Sequence, residues 1–277
     1  MDFVFYGEFS AKVRKQGIEE TSRLAFEKGF SGVEFLESSK KGAVCTLSDT
    51  QTAKAYAETL KKYGLYTACY SVESCILDGE TENLKKHAEL ASALGSPFLH
   101  HTLIPWLTLS ENTPSYEEAL QRAVESASKV ASYAEKLGIT CLYEEQGMYF
   151  NGQGFRPFYE EMKRLHKNVG VCGDFGNNLF VDENPADFIE EYAKEIRHVH
   201  LKDYLFLPRA DQTQKGIEWY PTKKGNWLKD CPLGGGVVEF DRIFRALQEA
   251  NYKGAYALET GLSLVDSGMA FAKGYKK

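Results

Sequence analysis

Four side chains able to hold a divalent cation or move a proton close four late apolar runs. Glu145 ends the run that begins Ile139-Thr-Cys-Leu-Tyr, Asp174 follows Val169-Gly-Val-Cys-Gly, His200 lies in His198-Val-His-Leu-Lys-Asp203, and Glu259 follows Ala255-Tyr-Ala-Leu. Three carboxylates and one imidazole suit a hard-to-borderline ion such as Mn, Mg, Co or Zn. An ion of that kind, bound beside a carbonyl and a neighbouring hydroxyl, makes the adjacent C–H acidic enough for a carboxylate to remove its proton.

Alternate strand residues share a face, so His198 and His200 point the same way. His200, nearer the strand's end, reaches the ion; His198 lies deeper and supports it. Lys202 continues that face and offers an ammonium to a developing alkoxide or a phosphate oxygen, against the plainer reading of a salt bridge to Asp203. Adjacent strand residues diverge, so only one of Glu144 and Glu145 enters the interior; Glu145 is the expected one and Glu144 the alternative. Ala255 and Ala257 beneath Glu259 are small enough for a crowded interior. The same rule lets one member of His100-His101 face inward, and His101 takes that role toward a sugar hydroxyl. In Asp174-Phe-Gly-Asn-Asn178, Asn177 presents an amide to a polyhydroxy ligand.

Such distant residues meet if each closes a strand of one parallel β/α barrel, where all strand tips face one mouth. Strand-like and helix-like periods alternate accordingly. Strands are expected at 3–6, 30–35, 65–71, 97–102, 139–145, 169–174, 198–201 and 255–259. Helices are expected at 18–26, 52–62, 82–94, 116–137, 158–165, 188–196 and 240–252. The fold class is α/β, a single (β/α)8 TIM barrel over residues 1–277, with a doubly wound open sheet as the alternative. Tyr204 to Gly236, with Pro208, Pro221 and Pro232, reads as a long irregular loop of the kind that forms lids.

A chain of 277 residues with 26% charged and 43% hydrophobic residues has the balance of a soluble enzyme. Its net charge of -6 argues against a nucleic-acid partner, which wants a basic surface. No apolar run approaches the roughly 20 residues that a membrane span needs. The opening Met1-Asp-Phe-Val-Phe-Tyr-Gly reads as a strand rather than a signal peptide, so cytoplasmic residence is the default. The six scattered cysteines read as reduced and structural.

Six segments together resemble the sugar phosphate isomerase/epimerase family of xylose isomerase-like TIM barrels: Gly32-Val-Glu34, Gly138-Ile-Thr to Glu145, Asp174-Phe-Gly-Asn177, His198-Val-His-Leu-Lys-Asp203, Gly234-Gly-Gly-Val-Val-Glu-Phe240 and Tyr252-Lys-Gly-Ala-Tyr-Ala-Leu-Glu259. The resemblance implies that Glu145, Asp174, His200 and Glu259 bind one divalent metal ion, commonly Mn, Co, Mg or Zn. It further implies that Glu145 and Glu259 act as acid and base on opposite sides of a small carbohydrate, through a cis-enediolate, and it leaves a homo-oligomer open. One departure stands out: many relatives carry histidine where this chain has Asn177, and a neutral amide binds a hydroxyl but shuttles no proton. Other readings of the scaffold are a polyol dehydratase, a phosphodiester-cleaving DNA repair enzyme, for which six histidines are few, and a non-catalytic sugar-binding barrel. Arg209, Lys215, Lys223 and Lys224 are the cations that a phosphorylated substrate would call on.

Overall fold

The computed structural model describes residues 1–214 and 218–275, so Lys215 lies outside the described residues. Eight strands close into a parallel barrel: β1 (Phe3–Phe5), β2 (Gly32–Ser38), β3 (Tyr66–Glu73), β4 (Phe98–His101), β5 (Thr140–Glu144), β6 (Val169–Asp174), β7 (Ile196–Leu201) and, last in the chain, β11 (Tyr256–Leu258). Between β7 and β11, the strands β8 (Tyr204–Leu207), β9 (Tyr220–Pro221) and β10 (Trp227–Asp230) form a separate antiparallel sheet in the order β8-β10-β9. β1 pairs with both β2 and β11, and this closure excludes the open-sheet alternative.

Helices cover the barrel: α1 (Phe9–Gln16), α2 (Ile18–Glu27), α3 (Thr50–Lys62), α4 (Thr81–Leu94), α5 (Tyr116–Lys136), α6 (Phe155–Leu165), α7 (Pro185–Tyr192), α8 (Phe240–Glu249) and α9 (Val265–Lys273). In α5 the buried positions are Ala119, Ala123, Ala127, Val130, Ala131 and Ala134, a stripe of small residues at helical spacing that brings the helix close to its neighbours. Its start is fixed by the Ser115 hydroxyl, which accepts from Glu118 N.

Helices α1 and α9 go beyond the seven expected, and two further expectations change. The helix expected at 188–196 begins at Pro185, capped by Asn184, and ends at Tyr192, because Ile196 already belongs to β7. The stretch expected to be irregular contains the small sheet, whose strands of two to four residues are too short for a period to register.

Asp203, just past β7, fastens this flap to the barrel. Its carboxylate accepts from the backbone amides of Tyr204, Gly234, Gly236 and Val238. Only glycine fits at 236, since a Cβ there would stand 2.2 Å from Tyr204 O and 2.3 Å from Asp203 Oδ1.

The barrel interior is layered. Val4, Ala68, Ala255 and Ala257 pack low in it, joined by Tyr6, and Cys69, Leu142 and Cys172 form a second small cluster. The larger apolar core lies between sheet and helices and includes Tyr143, Phe150 and Phe158. Polar side chains are left to the remaining interior positions near the strands' C-terminal ends.

Candidate active site

The strands β11, β7, β6 and β5 are neighbours in the barrel wall. Register pairs Asp174 with His200, Ala257 with His200 and Glu144 with Cys172, so the tips of these strands form one rim. His200 stands at its centre. Its Nδ1–H donates to Glu144 Oε1 at 2.6 Å, and Glu259 Oε2 is 3.7 Å from the same nitrogen. Lys202 Nζ bridges Asp174 Oδ2 at 3.1 Å and Glu259 Oε2 at 2.9 Å, with Asn177 Oδ1 at 3.3 Å. The other Asp174 oxygen accepts from the amides of Gly176 and Asn177, which fixes the carboxylate's direction.

Beneath this rim lies a buried charge that composition alone would not expect in a strand. Glu34 of β2 is fully buried and accepts from His198 Nε2 at 2.7 Å, from His200 Nε2 at 3.1 Å and from the Ser71 hydroxyl. His200 therefore turns Nε2 down to Glu34 and Nδ1 up to Glu144 and Glu259. A carboxylate behind an imidazole in this way fixes its orientation and raises its basicity. The Tyr6 ring stacks on the imidazole at 4.5 Å. His100 Nδ1 lies 3.0 Å from Ser71 Oγ; that hydroxyl donates to Glu34, so it accepts from His100 and leaves His100 Nε2 free to accept from a ligand.

Burial alone would raise Glu144, but His200 above all, with His100 and Lys202, brings it down to about 2. Burial would likewise raise Glu34, and His200 and His198 hold it well below the usual range. Burial pushes Asp174 up to about 7, eased by Lys202 and aggravated by Glu144 and Glu259. For Lys202 burial lowers the value, and Asp174 and Glu259 more than offset it.

Four of the positions read from the sequence converge: Asp174, His200, Glu259 and Lys202. Two others need correction. Glu145 does not enter the barrel. Leu142, two residues before Glu144, lies in the interior cluster with Cys69 and Cys172, whereas Tyr143 faces the helices and packs edge-on to Phe158 at 5.0 Å. Alternation therefore sends Glu144 inward. The Glu145 carboxyl instead accepts from Asp174 N at 2.9 Å, and Glu145 belongs to no cluster of metal-holding groups among the described residues. His101 is likewise turned outward, edge-on to Tyr143 at 5.4 Å, while His100 is level with Leu142 and Ser71 and faces in. His198 lies below the rim against Glu34, the deeper position read from the strand. Asn177 stays beside the site with a buried Nδ2 that has no hydrogen-bond partner among the described residues.

A metal ion fits these residues. Asp174, His200 and Glu259 offer ligand atoms within 4.8 Å of one another, and Glu144 offers another on His200. Asp174 Oδ2 is buried without a hydrogen bond among the described residues and faces the Lys202 ammonium, so the place already favours positive charge. Three carboxylates and an imidazole are the donors that Mg, Mn, Co and Zn take.

Access is from the Glu259 side. Its side chain keeps 34% exposure against 0% for Asp174 and 1% for His200. A cavity of about 410 Å³ reaches Lys202 and Glu259 between the segments at Gly7–Glu8 and Asp230–Leu233. Arg209, Lys223 and Lys224 are exposed and do not line it.

Comparison with known proteins agrees with this architecture. Residues 22–274 match the family described as Xylose isomerase-like TIM barrel. An inosose dehydratase of Bacillus anthracis is 26% identical over 156 residues, 54% of this chain and 50% of that protein, so the chain spans about half the length of the curated relatives it matches. A D-allulose 3-epimerase from Methylomonas sp. superposes with a TM-score of 0.70 at 16% identity, covering 99% of this chain and 98% of that one. A xylose isomerase-like TIM barrel protein from Mycobacterium smegmatis, in complex with magnesium, superposes with a TM-score of 0.71 at 16% identity, covering 98% and 95%. No helix among the described residues is long and apolar enough to cross a membrane.

Proposed function

Because the chain belongs to the xylose isomerase-like TIM-barrel family, we propose that it is a divalent-metal-dependent isomerase or epimerase of a small carbohydrate, moving a proton at the carbon next to a carbonyl. The observation that carries this reading is the meeting of Glu144, Asp174, His200 and Glu259 at four adjacent strand tips, with the two glutamates on the outer strands of the four. These residues would hold one ion, Mg, Mn, Co or Zn, which when bound supplies Lewis-acid polarisation of a carbonyl and its neighbouring hydroxyl.

Protein groups do the rest. One glutamate takes the proton from the C–H and the other returns a proton, to the same carbon from the opposite face in an epimerase or to its neighbour in an isomerase. Lys202 donates to the oxygen on which negative charge develops. Asn177 Nδ2 and His100 Nε2, one a donor and the other an acceptor, orient hydroxyls. His200 carries a proton on the nitrogen that faces the rim, where an ion would bind, so metal binding is expected to release a proton.

The test is exchange. In deuterated water, a panel of free ketoses given to the metal-loaded protein is expected to lose the C–H signal next to the carbonyl by NMR, with chelator stopping the exchange and Mn, Co or Mg restoring it. Absence of exchange across the panel would remove the enzymatic reading. The match to inosose dehydratases supports a second reading. It begins with the same proton abstraction, after which the β-hydroxyl leaves as water with a proton from the second acid, and a conjugated carbonyl forms. Rising ultraviolet absorbance distinguishes it from epimer formation.

Glu34 acts through His200. Glu34→Gln keeps the size but loses the charge, and is expected to weaken metal affinity by roughly 10–100-fold, measured by competition with a chromophoric chelator. Unchanged affinity would limit Glu34 to packing.

A further inference from the structure

The N-terminal face of the barrel, opposite the catalytic mouth, has a cavity of about 410 Å³ among the strand starts and the turn that follows α8. It exists because the residues lowest in the barrel there, Ala68 and Ala255, are too small to plug the floor. The lining is unlike the rest of the molecule. In a chain of net charge -6, it contains Lys194, Arg197 and Lys253 and no carboxylate. Among the described residues none of these three cations is in an ion pair, although Lys163, on α6, already pairs with the nearby Glu195. Arg197 Nη1 donates to the carbonyls of Lys194 and Ile196, which holds the guanidinium at the rim. Gly254 keeps the opposite rim tight: a Cβ there would meet Arg197 O at 2.5 Å. Tyr66 and Phe98 supply aromatic surface, and His198, 1% exposed, lines the cavity with a buried Nδ1 that has no hydrogen-bond partner among the described residues.

We propose that this floor cavity binds a small oxyanion carried on an apolar body. Three uncompensated cations around one concavity concentrate positive potential, and a guanidinium pre-positioned by backbone carbonyls is suited to a phosphate or carboxylate. The aromatic surface gives the rest of the ligand something to lie on, and His198 offers a further polar contact deep in the cavity. The site is separate from the catalytic rim and does not depend on the reaction proposed there.

The experiment is a calorimetric titration of the full chain with phenyl phosphate, benzoate and neutral phenol, each with magnesium and again with chelator. Saturable 1:1 binding of at least one anion, insensitive to magnesium and at least about 10-fold tighter than phenol, is expected, with affinity falling as salt rises. The two anions separate phosphate from carboxylate preference. Lys253→Glu and Arg197→Ala, at exposed positions, are each expected to weaken binding by about 10-fold or more without changing the melting temperature, and wild-type His198 imidazole NMR signals are expected to shift on binding. No saturation up to roughly 10 mM, or affinity unchanged from wild type in both variants, would overturn the proposal, as would binding seen only when magnesium is present.

Discussion

Glu144→Gln is expected to lower turnover by roughly 10²–10⁴-fold and to weaken metal binding, while Glu145→Gln is expected to leave both within a few-fold of wild type. The adjacent glutamates differ in what they touch. Glu144 is held ionised against His200 on the rim, whereas Glu145 is buried against the Asp174 amide. Burial first, then the Asp174 and Glu144 carboxylates, raise Glu145 well above its ordinary 4.5, so it stays neutral where most carboxylates ionise, and glutamine mimics that form. The sign for stability follows. A group whose value is raised on folding contributes fully below its unfolded value and loses that contribution as pH rises toward its folded one. Glu145→Gln, which cannot ionise, is thus expected to match wild type near pH 4.5 and to show a higher urea midpoint at pH 8. Steady-state kinetics and urea melts at the two pH values check both halves. A collapse of activity in Glu145→Gln with normal activity in Glu144→Gln would reverse the assignment.

Lys202→Met is expected to destabilise the metal-free protein by about 3–5 kcal/mol and to cost at least ~10²-fold in turnover. Lys202 is 7% exposed and its ammonium lies between Asp174 and Glu259; methionine fills its volume but leaves those carboxylates facing each other without compensation. A bound divalent ion restores that compensation, so the variant is expected to recover much of its stability on metal addition. Thermal melts with chelator and with manganese measure the contrast. Equal melting of variant and wild type in chelator would show that the lysine does not balance this charge.

The fold was legible because its signals are long: alternating periods of two and 3.6 residues and breaks such as Gly95 at the end of α4 survive any local error. The site was legible where small neighbours mark the interior side, as Ala255 and Ala257 do beneath Glu259. The same reasoning applied to β5 would have chosen Glu144, because Thr140 and Leu142 fit a narrow interior and Tyr143 does not. At His100-His101 no such size contrast exists, since the deciding facts are the registers with Ser71 and Leu142 on other strands. Glu34 leaves a sequence signal of its own: a carboxylate in the middle of an apolar strand, costly unless partnered. Its histidine partners come from 164 and 166 residues later in the chain, beyond the reach of any local pattern.

The chain departs from the barrel after Asp203 and comes back at Val238, and both points hang on one carboxylate. An excursion whose ends are already joined can be lengthened, shortened or exchanged for a foreign segment at little entropic cost, since loop closure grows only as the logarithm of length. The insert can therefore be exchanged while the rim of Glu144, Asp174, His200 and Glu259 stays untouched.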